Sequence, residues 1–150
     1  MPTTFFLASR GLRQGCPLSP LLFILAMNSL SLHINKVVDD NRCSPLKLCR
    51  NISISHNLFV DDVILFNILC RLTWMCYYEI IQNFQKASGL QVNSSKSAIY
   101  HSDINQEELS WLSELFGYEV QSISVGIKYL GFMLKENCYS RSYWLWILER

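Results

Sequence analysis

Acidic residues are missing from the start of this sequence: none precedes Asp39, and Asp39 and Asp40 are the only two in the first fifty positions. Charge is thin throughout, at 17% of residues, while half the residues are apolar. That balance excludes a self-repelling disordered chain, and 150 residues with this apolar content suffice for one domain with a buried core. Long apolar runs are missing too. The longest near-continuous one, Leu21 to Met27, is far short of the ~20 residues a membrane span needs. No transmembrane segment and no membrane partner is therefore expected. Met1 to Leu7 holds no Lys or Arg, which argues against the basic-then-apolar opening of a secretory leader. The six cysteines form no Cys-x-x-Cys pair, and His33, His56 and His101 show no ligand spacing. They read as reduced thiols and ordinary imidazoles of an intracellular, unsecreted protein, with no zinc site and no disulfide-linked partner. Neither repeats nor low-complexity tracts are present.

What charge there is falls unevenly. Residues 1 to 50 carry six basic and two acidic residues, a net +4, against −3 for the remaining hundred. A modestly basic first part can face a phosphate backbone, although a merely solvated face has the same composition. Within it, Arg10 to Pro17 has two glycines and a proline, which is loop chemistry. Ser19-Pro20 then offers a cap and a first-turn proline for a largely buried helix over about Pro20 to Lys36. A loop with free N–H groups leading into a helix N-terminus suits anionic ligands.

Asp39 to Arg50 reads as a polar connection. Ile52 to His56 alternates at strand period, and Leu58 to Phe66 is a β-rich segment interrupted by Asp61-Asp62, which together suggest a strand–turn–strand hairpin. The spacing predicts a helix from about Thr73 to Ala87, closed by Gly89. A short strand is expected within Gln91 to Tyr100, and a second helix capped by Asp103 or Asn105 and ending near Gly117. Ile127 to Leu134 reads as a strand. The aromatic tail, with Tyr143, Trp144 and Trp146, suggests packing more than base stacking and no particular element.

The acidic pair carries the chemistry. Adjacent carboxylates between apolar strand residues are costly to bury, so a turn open to solvent or to a cation is favoured. Mg²⁺ takes one or two protein carboxylates together with water and substrate phosphates, and two such ions serve nucleotidyl transfer. A solvated hairpin turn is the plain alternative. Asp39-Asp40, in a polar connection, matches no such pattern.

Four segments in order resemble the reverse transcriptases of non-LTR (LINE-type) retrotransposons. Arg10-Gly11-Leu12-Arg13-Gln14-Gly15-Cys16-Pro17-Leu18-Ser19-Pro20-Leu21-Leu22-Phe23 looks like their loop-and-helix motif B, and Phe59-Val60-Asp61-Asp62 like motif C. Ala87-Ser88-Gly89-Leu90-Gln91-Val92-Asn93 with Ser95-Lys96-Ser97 is similar to motif D, and Lys128-Tyr129-Leu130-Gly131 to motif E. The resemblance spans nearly residues 9 to 134, and a plant origin goes with it. It implies an α+β fold: a partial right-hand polymerase palm with the motif B helix, motif C β-hairpin and motif D helix and strand, plus the start of the thumb. It assigns about 9–126 to the palm fragment and about 127–150 to a primer-grip hairpin and thumb start, all within one partial domain. Asp61 and Asp62 would be the metal ligands, binding Mg²⁺ or Mn²⁺. Arg13, Gln14, Gly15, Pro17 and Ser19 would line the nucleotide and template pocket. Lys96 would donate a proton to the pyrophosphate leaving group, and Tyr129, Leu130 and Gly131 would hold the primer end. Partners implied are an RNA template, a DNA primer and deoxynucleoside triphosphates.

The family places a further Asp, in motif A, on a strand before motif B, with the fingers upstream. Only eight residues precede Ser9, none of them acidic. The expectation is that the fingers and motif A strand are missing, that the sheet has an open edge and poor solubility, and that the polypeptide alone synthesises no DNA. Two alternatives remain: a catalytically dead remnant that binds nucleic acid through the Arg10–Arg13 loop, or an interaction fragment with no ligand.

Overall fold

The computed structural model describes residues 15–68 and 70–134, which fold as a mixed α+β chain of three helices and four two-stranded sheets. Two compact units divide at Gln91/Val92.

In the first unit, helix α1 spans Leu18–Asp39 and helix α2 spans Arg71–Ser88. Met27, Leu30, Ile34 and Val37 recur at helical spacing on α1, and Thr73, Cys76, Tyr77 and Ile80 do so on α2. These stripes bury each other, with Cys43 joining the same core and Phe23, Leu58, Leu65 and Phe84 packed around it. α1 begins earlier than the sequence suggests. Its N-cap is Pro17, without a side-chain cap, and Ser19 contributes its amide to the Cys16 carbonyl (3.0 Å) instead of its hydroxyl to a cap. α2 is closed by Gly89 in the left-handed region, as its sequence predicts.

The supposed polar connection contains strand β1 (Leu46–Cys49), antiparallel to β2 (Ile52–Ile54) with a bulge between Lys47 and Cys49. The alternating run therefore breaks at Ser55: its first half pairs with β1, and its last residue opens β3 (His56–Phe59). β3 pairs antiparallel with β4 (Asp62–Leu65), in register from His56↔Leu65 to Phe59↔Asp62. Thus the predicted hairpin forms, with Val60-Asp61 as a two-residue turn.

The second unit holds β5 (Ala98–His101), α3 (Gln106–Phe116) and β6 (Glu119–Ser122). β5 and β6 are parallel, so the intervening helix is the crossover that parallel pairing requires. Asn105 is the cap of α3, accepting from the Glu108 amide at 2.9 Å. Ile127 to Leu134 is not one strand but a hairpin, β7 (Ile127–Tyr129) and β8 (Phe132–Leu134). Leu130 and Gly131 both have positive φ (49° and 85°), the requirement of a two-residue turn whose twist matches its strands.

Among the described residues one helix, α1, is long and apolar enough to cross a membrane by length and composition alone. The structure shows its Met27–Val37 stripe used for packing on α2.

Candidate functional site

Asp61 and Asp62 stand at the tip of the β3–β4 hairpin, both exposed. The two-residue turn forces the acidic pair outward, because its neighbours Phe59, Val60 and Val63 are also solvent-facing while Leu58 and Leu65 pack on the core. Val60 adopts φ +54°, a left-handed conformation that costs a β-branched residue about 1–2 kcal/mol. Strain of this kind persists only where the surroundings hold it. No ion pair or side-chain hydrogen bond engages either carboxylate among the described residues.

The donor set suits a hard divalent cation in part. Two carboxylates with open surroundings match the one or two that Mg²⁺ takes from protein, the rest being water and phosphate. A closed cage is absent: no group of three or more His, Cys, Asp or Glu side chains converges among the described residues. The tip thus offers two exposed carboxylates.

Just before α1, Gly15 has φ +84°, and a Cβ added there would meet nothing within 4 Å among the described residues. Its glycine is needed for the turn. Pro17 takes helical dihedrals as the cap of α1, and Ser19 lies in the first turn. Arg13 and Gln14 lie outside the described residues. Cys16, between Gly15 and Pro17, has its thiol held below the usual range, first by the Leu18 amide and then by the Ser19 hydroxyl and amide. The sequence gives no warning of this, since the effect comes from the amides and the Ser19 hydroxyl of the first turn.

Lys96 belongs to the second unit, exposed at the end of a 3-10 turn over Ser94–Lys96. Asn93 organises that turn. Its side-chain oxygen accepts from the Ser95 amide (3.1 Å) and hydroxyl (2.7 Å), and its carbonyl accepts from the Lys96 amide (3.1 Å) and Ser97 hydroxyl (2.9 Å). Tyr129 ends β7 half-buried, and Leu130 and Gly131 form the exposed turn that follows. The structure thus brings Gly15, Pro17 and Ser19 together at the head of α1. It sets Asp61 and Asp62 side by side at a hairpin tip, and places Lys96 and Tyr129–Gly131 in the other unit.

Sequence reasoning missed the polar contacts beneath the acidic hairpin. The His56 ring lies 2.7 Å from the Ser31 hydroxyl through Nε2 and 2.9 Å from the Ser55 hydroxyl through Nδ1. Burial pushes its pKa below the ordinary 6.5. Tyr77, fully buried, donates its hydroxyl to the carbonyls of Ser55 (3.3 Å) and Phe66 (3.1 Å). His56 had no short-range signal, because Ser31 is 25 residues away.

Among the described residues, the helix that follows Gly15 packs beside a tight hairpin with an exposed Asp-Asp tip. The chain belongs to the reverse transcriptase (RNA-dependent DNA polymerase) family, whose sequence model matches residues 2–134. It is also 36% identical over 95 residues to an uncharacterized mitochondrial protein of Arabidopsis thaliana, covering 61% of this chain and 75% of that protein.

Proposed function

We propose that this chain supplies the metal-binding hairpin and the nucleotide-side helix of an RNA-directed DNA polymerase of the non-LTR retrotransposon type. The observation that carries this is the Asp61-Asp62 pair, exposed at the tip of a hairpin docked beside α1 and engaged by no ion pair or side-chain hydrogen bond among the described residues. The order of the four motif-like segments supports the non-LTR assignment, and the Arabidopsis relative is in keeping with a plant source. Asp61 and Asp62 would hold Mg²⁺ or Mn²⁺. When bound, such ions supply charge neutralisation to the attacking and departing oxygens.

This chain's own groups do the rest. Gly15, Pro17 and Ser19 at the head of α1 receive the nucleotide and the template, a role the motif also gives to Arg13 and Gln14, which lie outside the described residues. Lys96 delivers a proton to the departing pyrophosphate oxygen. Tyr129, Leu130 and Gly131 press the primer strand, the two-residue turn presenting backbone toward it. RNA template, DNA primer and deoxynucleoside triphosphates are the partners.

No carboxylate precedes Asp39 in these 150 residues, so the second side of the metal clamp is not among them. A polypeptide of these residues alone is expected to give no primer extension, yet to bind a primer–template duplex more tightly with Mn²⁺ than with chelator. An Asp61→Ala/Asp62→Ala variant should lose that metal dependence and keep the salt-dependent remainder. Binding indifferent to metal in the parent chain would sink the proposal, and extension by the parent alone would overturn the incomplete clamp.

A further inference from the structure

We infer that His56, Ser31 and Tyr77 form a clamp that sets the orientation of the Asp61-Asp62 hairpin on helices α1 and α2, with His56 as its positioning residue. The inference rests, for its link to metal binding, on the reading of the hairpin just given. Among the described residues β3 and β4 form a sheet of two strands only. A two-stranded hairpin is marginal by itself, so its direction has to be fixed by what it packs against.

Two kinds of contact do this. One face of the hairpin packs Leu58 and Leu65 on the α1–α2 core, a nondirectional contact that allows sliding. The open end is held by directional contacts. Phe66 donates its amide to the Ser55 carbonyl (2.8 Å), closing the hairpin base, and the Tyr77 hydroxyl bridges those same two residues from α2. His56, the first residue of β3, reaches α1 through Ser31 at 2.7 Å and is steadied by Ser55 at 2.9 Å. The hairpin is thereby tied at one end to both helices, while Val60, Asp61 and Asp62 at the other end are exposed. Any swing at the base is carried along the strands to the carboxylates. Because Gly15 lies just before the start of α1, the clamp connects the two halves of the proposed site through one helix.

Hydrogen exchange of the full 150-residue chain without metal, read by mass spectrometry, tests this for the parent, His56→Leu, Tyr77→Phe and His56→Gln. In the leucine and phenylalanine variants the segment 56–66 is expected to exchange about tenfold faster, while α1 and α2 exchange as in the parent. The glutamine variant, whose amide can still meet Ser31, should fall between. Mn²⁺ affinity should weaken in the same order. Unchanged exchange of the hairpin overturns the clamp, as does an equal rise in hairpin and both helices. A parent chain that shows the local pattern but binds no Mn²⁺ would support the clamp and remove the metal reading.

Discussion

Cys16 and Cys70 both sit against the first turn of a helix, where the amides favour the thiolate. For Cys16 the Leu18 amide dominates; for Cys70 the Thr73 amide and hydroxyl do. Cys43 is the opposite case: burial, with Cys76 as hydrogen-bond partner, pushes its pKa up to about 12. At pH 8, iodoacetamide should therefore modify Cys16 and Cys70 at least ~10-fold faster than Cys43, which peptide mapping would show. Equal rates would mean that the core around Cys43 is open. His56 gives a second expectation. Its folded pKa lies below the ordinary 6.5, so the unfolded chain takes up its proton first as pH falls. Its contribution to stability is complete above that ordinary value and is lost as pH drops through the lower, folded one. Denaturant midpoints measured across this range should decline in the parent chain and decline less in His56→Gln. At the hairpin tip, Val60→Gly removes a left-handed penalty of about 1–2 kcal/mol at an entropic cost of about 0.5–1. The variant should be slightly more stable, and a clear loss of stability would show that Val60 makes contacts that matter more than its backbone.

Elements whose ends are set by local chemistry were legible from the sequence. Gly89 closes α2 and Asn105 opens α3 because caps act within one helical turn. α1 was legible as a helix but not in its start or its burial: Ser19 and Pro20 look like a cap pair while the chain turns helical at Leu18, and its apolar run suggests a largely buried helix where Met27, Leu30, Ile34 and Val37 alone are buried. Strand pairing was harder. β1 hides in a polar stretch because its residues are mostly exposed, and β6 has Val120 as its one strongly apolar residue and pairs with a strand reached only through α3. The β7–β8 turn was masked by an apolar run, although Gly131 marked it. For the site, the carboxylates and the glycine turn were readable as motifs, whereas the His56 and Tyr77 contacts depend on helices brought together by folding. Those helices meet at Ile34, which is 1% exposed. Ile34→Ala should cost about 2–5 kcal/mol in chemical denaturation. A cost below 1 kcal/mol, on the scale of a surface substitution, would contradict the α1–α2 core.

Across the molecule, α1 also exposes apolar residues on the side away from the core. Leu21, Ile24, Leu25 and Leu32 are exposed, and each of the four sheets has only two strands among the described residues. Such surfaces promote association in water. The central claim, however, concerns the hairpin: that Asp61 and Asp62, held out from this core, form a cation half-site of a reverse-transcriptase palm. Mn²⁺ titration of the 150-residue chain against its Asp61→Ala/Asp62→Ala variant tests it most directly. Saturable binding by the parent that disappears in the variant, with the helical circular dichroism of both unchanged, is the expected result. Equal binding by the two chains, or none by a folded parent, would contradict it.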